Sequence, residues 1–290
     1  MSAVDPTRES GALAKITRAE SVGMLRRLAP LGRRLRDVGR IAERGFGILL
    51  LLAVWEALPR LGVVSDAYLS PPSAVLRSIV ELATQGLLWK HVGASLQRSL
   101  WGLLLAISTG VVLGLSMGSF RRLENIVDPV LQLFRQTSAF ALFPVFILFL
   151  GIGELSKIAI IFWASFWPVL LSTIGGVKQV DRLLIDSARS MGASSRFVFL
   201  KVVLPAALPS IFTGVRLAGA YCITALVAAE MIGAHSGLGF LTLNSQETFQ
   251  IPTMYGGILL LALLGLALNY LLALLEGRLL RWRKGLSLER

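Results

Sequence analysis

Apolar runs of about 20 residues recur along this chain, and a run of that length set in lipid must satisfy its own backbone, which a helix does. Candidate spans cover about residues 41–58, 100–118, 130–150, 155–177, 206–232 and 254–276. The first has the shortest clean run, with Glu56 near its end. The second carries Gly102 and then Gly110, Gly114 and Gly118, a four-residue spacing that lets another helix approach closely. The third holds Arg135 and Pro144, and the fourth Pro168. Between the fifth and sixth, residues 233–252 include Gly237 and Gly239 and read as a re-entrant or surface helix. Only 16% of residues are charged, against about 25% in soluble domains. The fold class expected is an all-α integral membrane protein with about six transmembrane helices.

Charge sets the expected topology. Residues 1–44 hold ten Lys and Arg against five acids, with apolar residues at helical intervals on either side of Pro30. This segment reads either as a basic amphipathic helix on an anionic leaflet or as a solvated tail. Six spans put both termini on one side, and with that side cytoplasmic, 22 of the 29 Lys and Arg lie inside. Arg60, Arg77, Lys90, Arg98 and Lys157 fall in the outer loops on this count, and Arg135 and Arg216 within spans. The net charge of +12 thus follows from topology, so no nucleic-acid partner is expected; membrane lipid is. Cys222 is the single cysteine, and neither His91 nor His235 has metal-ligand spacing, so neither a disulfide nor a metal site is expected.

The most patterned polar stretch runs over residues 186–209. Asp181 can cap a helix over 181–191 that aligns Leu184, Ala188 and Met191, and Gly192 can end it in the left-handed conformation. Ser194 can cap a second short helix carrying Phe197, Leu200 and Lys201, which Pro205 is expected to stop. The result is a helix–turn–helix knob on the cytoplasmic surface. An ordinary amphipathic interfacial loop is the alternative.

Asp186-Ser187-Ala188-x-x-x-Gly192, followed by Leu204-Pro205 and Pro209, resembles the "EAA…G…LP" signature of permease subunits of bacterial type I ABC importers. Asp186 and Ser187 replace the usual Glu and first Ala. Leu69-Ser70-Pro71-Pro72-Ser73, His91-Val92-x-x-Ser95-Leu96-x-Arg98, Phe149-Leu150-Gly151-Ile152-Gly153-Glu154 and Ala228-Ala229-Glu230-Met231-Ile232 are similar to the taurine, aliphatic-sulfonate and nitrate permease branch. The resemblance spans about residues 45–285, a permease domain with its coupling loop at 178–205. It implies that the knob is a coupling helix docking on a cytoplasmic ATP-binding subunit. Ser187, Ala188 and Gly192 would allow close approach, Leu184, Met191 and Phe197 would be apolar anchors, and Arg189 and Arg196 a charged rim. Pro205, after Leu204, would decouple the knob from the fifth span. The resemblance further implies two ATP-binding subunits, a second permease copy (a homodimer, since no other permease is in view), and a periplasmic or lipid-anchored substrate-binding protein. ATP and Mg would be bound by the partner, because this chain lacks a GxxxxGK[ST] phosphate loop and is no ATPase. The chain would be a non-enzymatic, multi-pass protein of the bacterial inner membrane.

A small, anionic solute (a sulfonate, taurine, nitrate or similar) is the cargo implied. Charged groups within spans are the first suspects for contact with it. Glu230 can line the outer mouth or sit against a helix N-terminus. Arg135 and Arg216 can attract an anion or bind lipid phosphate. The segment Gln136, Thr137 and Ser138 lacks the prolines of its relatives, which predicts a straighter helix entry with hydrogen-bonding groups on the pathway; back-bonding within the helix is the alternative. Phe162, Trp163, Phe166 and Trp167 read as packing or lipid-facing. The rival class is a self-contained secondary transporter or channel, which predicts inverted repeats and midplane coupling-ion residues. Neither pattern is in the sequence.

Overall fold

The computed structural model describes residues 46–47, 49–65 and 68–280. The basic segment 1–44 lies outside them, as does part of the first candidate span. Of that span, helix α1 covers residues 49–60 and carries an Arg60–Glu56 ion pair one turn apart at 2.5 Å.

From residue 68 onward every regular element is helical: α2 (Pro72–Thr84), α3 (Leu87–Ser119), α4 (Arg121–Phe134), α5 (Ala139–Leu150), α6 (Glu154–Lys178), α7 (Arg182–Ser190), α8 (Ser195–Val198), α9 (Leu204–Met231), α10 (Leu238–Glu247) and α11 (Ile251–Leu279). Among the described residues, α3, α6, the continuous stretch Ser195–Met231 and α11 are each long and apolar enough to cross a membrane. The third candidate span is not the straight helix that its sequence predicts. It is the pair α4 and α5, bent by 97° at residues 135–138, the geometry of a broken span or a re-entrant loop. Losing the prolines did not straighten this entry. Arg135 instead closes α4, and Ser138 opens α5 in an extended conformation.

The glycine stripe forms the central seam. A Cβ on Gly102, Gly110, Gly114 or Gly118 would press on Ile161, Val169, Thr173 or Val177 of α6, at 2.5, 3.0, 2.6 and 2.7 Å. Each partner stands 59 positions later, so α3 and α6 run parallel in fixed register. Helix α9 packs antiparallel on the other side of α6, where Gly176 meets Ser210 and Gly214 meets Ser172. Apolar side chains gain little from leaving lipid for one another, so such close backbone approach supplies the dispersion contact that holds the helices together. Around these seams sit Leu103, Ile160, Val169, Ile211, Ala218, Leu226 and Leu268. The outward faces are also apolar: Leu100, Leu104 and Val112 on α3, and Leu263, Leu266 and Leu274 on α11, are exposed. A soluble monomer rarely shows such a surface.

Helix α9 also differs from expectation at its start. Pro205 does not stop the preceding helix. The backbone widens into a π-turn over Phe199–Val203, where the Leu204 N–H reaches the Phe199 carbonyl five residues back, and then continues as α9. A proline inside a regular helix loses one hydrogen bond and collides with the carbonyl four residues earlier. The extra residue in the wide turn moves that carbonyl aside. The second short helix of the knob, α8, and the fifth span are therefore continuous helical backbone, while α7 is set off from them by the turn at Gly192.

Candidate functional site

The knob is built by local capping. The Asp181 carboxylate accepts from the Leu183 N–H at 2.9 Å and starts α7. At its other end the Gly192 N–H donates to Arg189 O at 2.9 Å, and the Ala193 N–H to Ala188 O at 3.1 Å. With Gly192 at φ 81° these two bonds form a Schellman motif. The spacing from Ala188 to Gly192 is thus the spacing of a helix stop: the pair of small residues closes the end of α7, and Ala188 is buried beneath it. Ser194 then caps α8 by accepting from the Phe197 N–H at 3.3 Å. Leu184, Met191 and Phe197 point outward with exposures of 53, 81 and 53%. Asp186 and Ser187 are both exposed on the same short helix, and the space a Cβ on Gly192 would enter is open. Arg189 and Arg196 line a groove of about 690 Å³ between the knob and the Ser116–Phe120 end of α3.

The break between α4 and α5 places Arg135, Gln136, Thr137 and Ser138 on a concavity of about 640 Å³, walled by Trp163, Trp167 and Pro168 of α6 and by Leu217, Tyr221 and Thr224 of α9. Non-helical backbone at membrane depth is stable where protein or water satisfies it. Thr137 bonds back to Leu133 O at 3.4 Å. Trp163 and Trp167, which the sequence leaves as packing or lipid-facing, meet edge to face at 5.2 Å, and neither buried indole N–H has an acceptor among the described residues. Arg216 does not reach this concavity; its Nη1 donates to the Glu276 carboxylate of α11 at 3.3 Å.

A third assembly lies at the far end of α9 from the knob, and sequence reasoning did not find it. Arg98, counted above in an outer loop, belongs to α3 and is 1% exposed. Its Nε and Nη2 grip both oxygens of Glu154 at 2.6 and 2.7 Å, and its Nη1 donates to Glu230 at 2.8 Å and to Ser236 O at 2.6 Å. Glu230 is fully buried and also accepts from Ser95 Oγ and, at 2.8 Å, from the Gly239 N–H. Of the two roles weighed for Glu230, this geometry is that of a carboxylate against the first turn of a helix, α10, where its charge meets the positive end of the dipole. The Leu238 N–H donates to Ser95 Oγ at 2.8 Å and the Gly237 N–H to His91 Nδ1 at 3.1 Å, so side chains of α3 satisfy two amides at the entry to α10. That second bond places the imidazole hydrogen on Nε2. Lys157 is also buried and donates to Gly153 O at 3.0 Å, beside Glu154. Two cations thus face two carboxylates.

The signal for this assembly is in the sequence. His91, Ser95 and Arg98 fall at i, i+4 and i+7, one face of a helix once α3 is extended back beyond residue 100. They come from one of the four motif stretches quoted above, and Glu154 and Glu230 come from two of the others. Hydropathy hid them, because polar residues concentrated at a helix end read as loop.

Comparison with known proteins agrees with the fold and the motifs. Residues 106–281 match the family described as binding-protein-dependent transport system inner membrane component. The taurine transport system permease protein TauC of Escherichia coli (strain K12) is 37% identical over 240 residues, covering 81% of this chain and 87% of that protein. SsuC of Bacillus subtilis (strain 168), named for the transport of aliphatic sulfonates, is 35% identical over 240 residues, covering 82% and 87%. An inward-facing structure of the MetNI methionine ABC transporter shares the fold, with a TM-score of 0.54 at 19% identity over 69% of this chain and 97% of that one. In this family ATP binding belongs to a separate subunit and the permease itself is not catalytic. The chain is a member of the binding-protein-dependent ABC importer permeases, a multi-pass inner-membrane component of the taurine and aliphatic-sulfonate branch.

Proposed function

We propose that this permease forms half of an alternating-access pathway for a small organic anion, as one copy of a homodimer with both termini cytoplasmic. Two ATP-binding subunits dock on the knob of the two copies, and a periplasmic or lipid-anchored binding protein delivers the solute. The observation that carries this reading is the knob itself: capped at Asp181 and Ser194 and closed at Gly192, it holds Leu184, Met191 and Phe197 outward and exposed. Apolar anchors held on a rigid mount are what a docking interface needs. Asp186 and Ser187 supply the short side chains facing the partner, Ala188 packs beneath the turn that holds them, and Arg189 and Arg196 supply the charged rim. Leu204 and Pro205 mark where the knob joins the membrane rod.

The concavity at Arg135, Gln136, Thr137 and Ser138 supports the cargo class. It pairs one guanidinium and three small polar side chains with an indole and phenol wall, a lining suited to an anion with a short organic body. The names of TauC and SsuC point to taurine and aliphatic sulfonates as the cargo of those relatives. Arg216 and Glu230 stand outside this lining.

Co-purification tests the reading. The chain, expressed with its ATP-binding subunit, is expected to retain that subunit through size-exclusion chromatography. Gly192→Trp, which fills the open space beside the Schellman turn, is expected to release it while the permease still inserts in the membrane. Retention of the subunit by the Trp variant refutes the docking role.

A further inference from the structure

We infer that Glu230 is the distal anchor of a lever whose proximal end is the knob, and that it carries ATP-driven movement to the α10 segment on the opposite side of the membrane. The inference rests on the docking role proposed for the knob and extends it to residues with no contact to the ATP-binding subunit.

Three observations support it. Ser195–Met231 is a single rod of 37 residues, about 55 Å long at 1.5 Å per residue. A displacement at Phe197 therefore reaches residue 230 along continuous helical backbone, which the π-turn carries past Pro205. At the far end, Glu230 binds three different elements at once: Ser95 and Arg98 of α3, Glu154 of α6 through Arg98, and the Gly239 amide of α10. The entry to α10 leaves no slack. Gly237 has φ 123°, and a Cβ there would collide with the Glu230 carboxylate. Residues 236, 237, 238 and 239 each bond to Arg98, His91, Ser95 or Glu230. A carboxylate held this way transmits displacement in both directions, so a load on α10 also reaches the knob. Glu230 is a positioning residue, acting through α10 and touching no cargo.

The test uses the full complex in nanodiscs, with a cysteine reporter at exposed Gln246 near the end of α10 and ATP with vanadate as the probe. In the otherwise unaltered complex, ATP–vanadate is expected to change the rate of maleimide labelling at position 246 by about tenfold, a usual size for coupling between sites. With Glu230→Gln, the ATP-binding subunit is expected to stay bound and hydrolyse ATP at the unaltered rate, while the labelling change is lost. The double variant Arg98→Met/Glu230→Met removes both charges, avoids an unpaired buried ion, and is expected to assemble and to lose the labelling change too. A purely structural role would lower thermal stability yet leave the labelling response of the assembled complex intact, and that result overturns the inference. So does a complex with neither substitution whose reporter ignores ATP–vanadate, or failure of both variants to assemble, which would make Glu230 a folding residue. Failure of the complex without these substitutions to retain its ATP-binding subunit counts instead against the docking role.

Discussion

Gly114→Ala probes the seam between α3 and α6 with the smallest possible change. The added Cβ would lie 2.6 Å from Thr173 Cβ, 2.8 Å from Thr173 Cγ2 and 3.1 Å from the Leu170 carbonyl oxygen. Carbon atoms rest at about 3.5–4.0 Å, so the two helices must part locally by roughly 1 Å. Neither neighbour is the free end of a flexible side chain, and overpacking of this kind costs about 1–3 kcal/mol. Replacing glycine within a helix returns about 1 kcal/mol through propensity, which leaves a net loss of about 0–2 kcal/mol. Gly93→Ala on the same helix isolates the second contribution, because nothing lies within 4 Å of its added Cβ. That variant is expected to gain about 0.5–1 kcal/mol. At about 2–4 °C per kcal/mol for large domains, thermal unfolding of purified chain in detergent should show Gly114→Ala melting several degrees below Gly93→Ala. Equal or reversed midpoints would refute the close parallel register.

Other substitutions test the remaining sites. Asp181→Ala removes the cap of α7 and is expected to cost about 1 kcal/mol, read as faster amide exchange confined to residues 182–190. Phe249 takes φ 55° at a turn with the same two-bond pattern as Gly192, its amide on Gln246 O at 3.2 Å and the next on Ser245 O at 2.8 Å. Its ring is 85% exposed, so Phe249→Gly should raise the melting temperature by releasing about 1 kcal/mol of left-handed strain. Arg135→Gln removes the cation of the concavity and, on the proposed function, is expected to slow uptake of the anionic cargo in proteoliposomes several-fold without releasing the ATP-binding subunit; unchanged uptake would remove Arg135 from the pathway.

The sequence made the knob legible because each part of it is decided locally. Asp181 and Ser194 cap the helices that follow them, and Gly192 takes the one conformation for which glycine is preferred. The glycine stripe was legible too, as a face awaiting a partner, although its spacing could not name α6. Two features were hidden by their context. Each of Arg135, Gln136 and Thr137 is compatible with a helix, so the 97° bend is a decision of packing around Trp163 and Trp167 rather than of propensity. Arg98 read as a loop residue because a charge near an apolar run usually marks its border. Only the two carboxylates brought from α6 and α9 make its burial tolerable. Pro205 misled in the opposite sense, since a strong helix breaker was absorbed by one additional residue in the turn before it.

The register of 59 residues between α3 and α6 also has a consequence for biogenesis. At ribosomal speeds of about 5–20 residues per second, the second half of the seam is made about 3–12 s after the first. During that interval the stripe from Gly102 to Gly118 has no partner within the nascent chain and must face lipid or the insertion machinery. The bent pair α4 and α5 is synthesised in the same interval, so it enters the membrane before the groove that it will flank exists. A slower ribosome over residues 120–150 would lengthen the period in which α3 is unpartnered and open to premature pairing with another copy.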